Sequence, residues 1–433
     1  MNEQTKRDII ELIHQEVVPA IGCTEPIAVA LAVAKASELL GEEPTFIKVN
    51  LSANILKNAM GVGIPGTGMV GLPIAIALGA LIGRSEYGLE VLKDLTPEGL
   101  ERGKRMIERK SIEIALKDTK EKLYIEVLVS NGDKEAKAII CRQHTLFVFL
   151  SKNDTVLLDT MTDCAEDASH EAHEEIRLSF SLVHRFATEM PTEEIRFIME
   201  TAELNKKASE LSQKGSYGHA VNQTIGGRIG RRYMGENAHS RMLTVTSAAC
   251  DARMDGALIP VMSNSGSGNQ GIVATLPVLS FAEDVEANEE QLIRAMMMSH
   301  LTVIYIKQHL GRLSALCGCV VAAIGASCGI TYLMGGNKEQ IAFAIKNMIG
   351  NITGMICDGA KPSCALKVVS GISTAMLSAM MAMEDKVVNS LEGIVDEDVD
   401  KSIFNLTSIG TKGMEATDRL VLDIMTKKAS SAS

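Results

Sequence analysis

SIEIALKDTKEKLYIEVLVSNGDKEAKAIICRQHTLFVFLSKNDTVLLDT, residues 111–160, holds five short apolar runs separated by polar turns. Each run mixes β-branched and aromatic side chains with polar ones in near alternation, the pattern of strands with one wet face. Asn131-Gly132-Asp133, between the second and third runs, is a hairpin turn signal. Upstream, FIKVNLS adds a strand whose apolar residues are Phe46, Ile47, Val49 and Leu51. A Gly-rich loop and helices follow it to about Arg109. Residues 44–165 therefore read as a small α+β domain with a mostly antiparallel sheet.

On either side of this block the period changes. Residues 5–18 form an amphipathic helix pattern through Ile9, Ile10, Leu12, Ile13, Val17 and Val18, and Pro19 and Gly22 break it. A second helix pattern runs from Thr24, a plausible N-cap, to Leu40 and stops at Gly41. These first 43 residues are expected to pack back onto the helical body. Beyond the acidic stretch Asp163–Glu175, helical patterns dominate to Lys428, interrupted by Gly-rich loops at 225–236, 263–271 and 335–337. The expected fold is α+β: a large, mainly α-helical domain over 175–433, with the smaller α+β domain inserted near the N-terminus. No internal repeat stands out.

The chain has 433 residues, ample for two or three domains at roughly 150 residues each. Its net charge is −11, it contains no Trp and only six Tyr and nine Phe. Phosphate backbones would be repelled and few rings are available for stacking, so nucleic acid is excluded as a partner. Three stretches lack any charge: between Lys57 and Arg84, Asp255 and Glu283, and Arg312 and Lys338. The last is long enough to raise a transmembrane helix. Its Gly, Ala, Cys and Ser, with no aromatic belt or basic flank, favour a helix buried in a crowded interior, so no membrane is expected. The polar start MNEQTKRDIIELIHQE has no secretory pattern, and a cytoplasmic location is expected.

Nine cysteines in a reducing compartment read as thiols or metal ligands rather than disulfides. Five of them, Cys317, Cys319, Cys328, Cys357 and Cys364, fall late in the chain. No paired C-x-x-C spacing marks a zinc ribbon or a ferredoxin-like site. What remains is a Cys on an apolar helix and a pair flanking the loop CDGAKPSC, whose Gly359 and Pro362 can bend two thiols toward one point. Three such thiolates could hold an iron–sulfur cluster and leave one iron open as a Lewis acid; equally, each Cys could be a small buried hydrophobe. Cys23, at the start of a helix, faces unpaired N–H groups that favour its thiolate, making it a candidate base or nucleophile. It could also be plain packing.

Two Gly-rich segments offer polar cradles. MSNSGSGNQG, 262–271, presents Ser263, Asn264, Ser265, Ser267, Asn269 and Gln270 together with backbone N–H groups for a carboxylate or phosphate. VGIPGTGMVGLP, 62–73, is similar but weaker. Neither is a P-loop. His300 and His219 are isolated and read as structural.

AIGCTEP, PGTGMVGLP, TSAACDARMDGA followed by SNSGSGNQG, RLSALC and GMICDGAKPSCALK, in this order, together resemble the L-cysteine desulfidase family, related to the alpha chain of iron–sulfur L-serine dehydratases. The resemblance spans Cys23 to Cys364. It implies a 4Fe-4S cluster held by three cysteines and breakdown of L-cysteine to pyruvate, ammonia and hydrogen sulfide. Carried onto this chain, the ligands fall on Cys317, Cys357 and Cys364, with Cys319 the alternative to Cys317, and the proton acceptor falls on Cys23. Cys319 and Cys328 otherwise read as packing residues. A small amino acid is then the partner, bound by the 263–270 loop, and a homo-oligomer is expected. Alternatives are L-serine or another β-substituted amino acid on the same cluster, a pyridoxal phosphate enzyme using Lys361 or Lys367, a non-enzymatic redox sensor, and, weakest, a transporter.

Overall fold

The computed structural model describes residues 1–161, 176–311 and 313–431. The acidic stretch Asp163–Glu175 lies outside the described residues.

The chain opens with helix α1 (Glu3–Glu16), capped by the Asn2 side chain, which accepts from the Thr5 N–H. Strand β1 (Pro19–Ile21) follows, then α2 (Thr24–Leu40), which stops at Gly41 in the left-handed conformation. Strand β2 (Phe46–Leu51) leads to α3 (Ala53–Ala59), the short hairpin of β3 (Gly63–Ile64) and β4 (Met69–Val70), α4 (Leu72–Leu81) and α5 (Pro97–Glu108). Strands β5 (Ile112–Leu116), β6 (Tyr124–Asn131), β7 (Lys134–Cys141), β8 (Phe147–Lys152) and β9 (Thr155–Asp159) complete a six-stranded sheet of order β5-β2-β6-β7-β8-β9. Only the β2–β5 pair is parallel. The β6–β7 hairpin closes through Asn131 opposite Lys134, with Gly132 at φ +59°.

One face of this sheet, with Ile47, Val49, Ile125, Val127, Ala136 and Ala138, packs on α2 in a core of its own. The second core is helical and contains Ile9, Leu12 and Ile13 of α1. The sequence reading expected both N-terminal helices on the helical body, but the α2 side chains from Ile27 to Leu40 sit in the sheet core. The reason is composition. Twelve of the seventeen α2 residues are buried, so the helix needs apolar surroundings on every side and finds them between the sheet and α4.

The helical body comprises α6 (Phe180–Glu189), α7 (Met199–Lys214), α8 (Val221–Gly226), α9 (Arg228–Met234), α10 (Ala238–Met254), α11 (Gly268–Asp284), α12 (Glu289–Leu310), α13 (Gly318–Leu333), α14 (Lys338–Ile352), α15 (Cys364–Met383), α16 (Val399–Ser408) and α17 (Glu415–Ser431). Residues 225–236, expected as a Gly-rich loop, are largely helical in α8 and α9. The charge-free stretch after Arg312 becomes α13, sixteen residues packed against α11, α12, α14 and α15. Among the described residues one helix, α15, is long and apolar enough to cross a membrane, and 44% of its most apolar window is buried inside the protein; α13 is too short. Strand β10 (Pro260–Met262) pairs antiparallel with β1, and the Ser263 and Ser265 N–H groups donate to Val18 and Glu16 carbonyls. The N-terminal segment is thereby stitched to the helical body beside the 263–267 loop.

Close approach of α2 and α4 depends on small residues. A Cβ on Gly79 would lie 2.6 Å from the Ala30 carbonyl oxygen. Alanine is the better helix former by about 1 kcal/mol, yet Gly79→Ala is expected to destabilise the protein by about 1–3 kcal/mol because the helix axes must separate. Urea unfolding of the variant beside wild type measures the sign directly.

Candidate active site

Four helices begin at one cavity of about 110 Å³. Cys23 is the N-cap of α2, Ser267 of α11 and Cys317 of α13, and Cys364 is the first residue of α15; all four line the cavity. Each of these helices has sixteen residues or more. Their N-termini carry unpaired N–H groups and the positive end of the dipole, so the space between them favours anionic groups.

The cysteine wall is built by backbone. Leu316 and Ile356 form an isolated antiparallel bridge, in which the Cys317 N–H donates to the Met355 carbonyl at 3.0 Å and the Cys357 N–H to the Ala315 carbonyl at 2.7 Å. This places Cys317 beside Cys357 although forty residues separate them in sequence. The loop then turns at Gly359, φ +89°, where a Cβ would meet the Lys57 carbonyl oxygen at 2.2 Å. Only glycine lets the loop lie that close to α3. Behind it, Lys57 is 2% exposed and forms an ion pair with Asp418 of α17.

Cys317, Cys357 and Cys364 all line the cavity, and so does Cys319, which was expected to be packing only. The Cys319 thiol and backbone N–H both bond to the Cys317 sulfur; against the opposing pull of burial, and with the Lys367 charge nearby, they bring the Cys317 thiol down to about 7. The same bond, with burial, pushes Cys319 up. Burial raises Cys357 and Cys364. Cys328 lies inside α13, fully buried, its thiol pushed up to about 12 by burial.

Cys23 differs from its expectation. Its sulfur makes no cap bond to the helix N–H groups and instead donates to Glu25 Oε2 at 2.9 Å. Burial first, and the Glu25 carboxylate second, push the thiol well above its usual range. The helix N-terminus alone favours a thiolate; burial and the facing carboxylate both favour the thiol. Asn58 of α3 donates to Glu25 Oε1 at 2.9 Å and fixes that carboxylate. Arg253 of α10, 4% exposed, joins both halves of the site. Its guanidinium donates to the Gly22 carbonyl at 3.0 Å and to Asn269 Oδ1 at 3.1 Å.

The polar loop is divided. Ser265, Ser267, Asn269 and Gln270 line the cavity. Ser263 and Asn264 face away: the Ser263 hydroxyl donates to the Val18 carbonyl, and the Asn264 amide meets the His300 ring and carbonyl. His300 is fully buried, bonded to Asn264 and Thr275, and driven down to about 3 by burial, so it is a neutral support for the loop. Residues 62–73 form the β3–β4 hairpin and none lines the cavity, and neither do Lys361 and Lys367, which both pair with Asp358. Sequence reasoning missed Glu25, Asn58, Arg253 and Lys307, all on the cavity wall. Glu25 and Arg253 stood within motifs already quoted, AIGCTEP and TSAACDARMDGA, and their place in those motifs was the available signal.

The thiols of Cys317, Cys357 and Cys364 around one cavity form a soft donor set of the kind that iron–sulfur clusters take. Among the described residues no three His, Cys, Asp or Glu side chains are gathered tightly enough to hold one metal ion. The buried Gln270 Oε1 and Arg253 Nε, both without hydrogen-bond partners, mark the same wall as prepared for a ligand.

The sequence profile of the serine dehydratase alpha chain matches residues 86–423. The chain belongs to the serine dehydratase alpha-chain family. This family member is 70% identical to a UPF0597 protein of Parabacteroides distasonis, over 99% of this chain and all of that one. It is 64% identical to one from Bacteroides fragilis over the same shares, and 46% identical to one from Oleidesulfovibrio alaskensis over 97% of both chains. The family is one associated with iron–sulfur chemistry, in keeping with the thiol wall.

Thiol reactivity checks the electrostatics. In metal-free, denaturant-free protein, Cys317 should be the first cavity thiol alkylated by iodoacetamide as pH rises through about 7. Its thiolate fraction grows across that range, while Cys23 and Cys319 remain protonated. Peptide mass spectrometry over a pH series reads the order.

Proposed function

We propose that this protein catalyses α,β-elimination of L-cysteine to pyruvate, ammonia and hydrogen sulfide at the cavity shared by Cys23 and the cysteine wall. The observation that carries the reading is the grouping of Cys317, Cys357 and Cys364 with Cys23 and a neutral polar loop around one small buried space in a serine dehydratase family chain. A 4Fe-4S cluster held by Cys317, Cys357 and Cys364 would supply a Lewis-acidic iron without a protein ligand.

The chain's own residues bind, orient and move protons. Ser265, Ser267, Asn269 and Gln270, at the N-terminus of α11, receive the substrate's polar groups, and the helix dipole with Arg253 favours its carboxylate. Cys23, as thiolate, removes the Cα proton, and the electron pair left behind forms the Cα–Cβ double bond as the β-sulfur departs. Aminoacrylate then tautomerises and hydrolyses to pyruvate and ammonia. The dry wall strengthens each of these contacts.

L-Serine is the second reading, favoured by the family's name, with water in place of sulfide as leaving group. The protein, purified without oxygen, is expected to contain iron and acid-labile sulfide and to form pyruvate faster from L-cysteine than from L-serine. Faster turnover of L-serine would transfer the reading to serine dehydration. Metal-free protein with full activity would overturn the cluster. Cys23→Ala should lose turnover by at least about a hundredfold and keep the wild-type iron content and visible absorption.

A further inference from the structure

Among the described residues Glu25 is the one acidic side chain on the wall of the cavity, a buried carboxylate 8% exposed, and the family resemblance gave it no role. Its two oxygens are separately committed. Oε1 accepts from the Asn58 amide at 2.9 Å, and Oε2 accepts from the Cys23 sulfur at 2.9 Å. Cys23 is 3% exposed and its second contact, to the Asn58 carbonyl, is a long 4.0 Å, so the carboxylate is its principal partner. Cys23 as N-cap and Glu25 in the first turn of the same long helix set this geometry through local backbone, and Asn58 reaches in from α3 to lock the carboxylate plane.

We propose that Glu25 is the proton relay for Cys23. The inference rests on the elimination reading above and deepens it. In the resting pair the proton is on sulfur and the carboxylate accepts it. Transfer of that proton to Oε2 leaves the thiolate, which the Cα–H bond then protonates. The protonated Glu25 gives its proton to the departing hydrosulfide, and the pair returns to thiol and carboxylate. One proton leaves carbon, one reaches the leaving group, and no outside acid or base is consumed. Without such a partner, a dry thiol has nowhere to send its proton and cannot become a base.

The charged and titratable groups that share the cavity with this pair come from every neighbouring element. Arg253 approaches from α10, Lys307 from α12 and His144 from the β7–β8 connection, and the Cys317, Cys319, Cys357 and Cys364 thiols close the far wall. Arg253 is the one whose charge opposes that of Glu25 at the sulfur.

The test separates a relay from a structural carboxylate because two readouts should move in opposite directions. Full-length wild type, Glu25→Gln and Glu25→Asp, purified anaerobically, are alkylated with iodoacetamide over a pH series, Cys23 is followed by peptide mass spectrometry, and pyruvate formation is assayed in parallel. Removing the negative charge in Glu25→Gln should lower the pH midpoint of Cys23 alkylation by about one unit or more, roughly a tenfold gain in thiolate at a given pH below it. Turnover should nonetheless fall by about a hundredfold or more. Glu25→Asp keeps the charge one methylene further away, and should show an intermediate midpoint and recover part of the turnover; it also decides the matter if Glu25→Gln does not fold.

An unmoved midpoint would overturn the pairing. A lowered midpoint with turnover intact would overturn the relay and leave Glu25 as a simple brake on the thiol. Full turnover in Cys23→Ala removes the elimination base itself, and with it the relay; the alkylation midpoint, which requires no substrate, would still report whether carboxylate and thiol face each other.

Discussion

Four helix N-termini meeting at one small cavity are the constraint on which the rest depends. Each brings unpaired N–H groups and partial positive charge, and burying four together is costly unless something anionic or strongly hydrogen-bonding stands between them. The chain meets this with thiols, one carboxylate and a hydroxyl- and amide-rich loop. Every long-range feature serves that convergence. The β1–β10 pair ties the entry of α2 to the entry of α11, and the Leu316–Ile356 bridge ties the entry of α13 to the loop leading into α15. Arg253 binds the α2 and α11 entries together from behind. The charge-free stretches follow from the same demand, since helices that must converge in a packed interior leave little room for charge away from the site.

Much of the fold was legible because it is governed by short-range patterns. The strand runs between Ser111 and Thr160, the hairpin at Gly132 and the stop of α2 at Gly41 all lie where alternation and turn residues put them. The allegiance of α2 was not legible: a helix apolar on all sides carries no directional information about which core receives it. The segment 225–236 misled for a related reason. Its glycines mark helix ends rather than a loop, and the short helices they bound are too brief to show a period.

The grouping of the candidate cysteines was readable in the sequence, and the surroundings of Cys23 were not. Spacing and resemblance pointed to Cys23, Cys317, Cys357 and Cys364, and all four line one cavity. The same reading made Cys23 a thiolate, because a helix N-terminus is local and visible in sequence. Burial and the orientation of Glu25 are tertiary facts, and they outweigh the dipole. Ser263 and Asn264 show the converse. A run of polar residues looks uniform in sequence, but its first two members face the scaffold and its later ones face the cavity, a division set by the pairing of residues 263–265 with the N-terminal segment.

The Lys57–Asp418 pair has a consequence for how the protein folds. Lys57 belongs to an early helix, its carbonyl receives Gly359, and its ammonium is met by a carboxylate of α17, 361 residues further along the chain. Until α17 docks, the loop that Gly359 seats against Lys57 lacks its brace, and a buried ammonium lacks its counter-charge. The segment between Cys357 and Cys364 is thus held by a contact between the two ends of the fold, and loosening the late helix would loosen it.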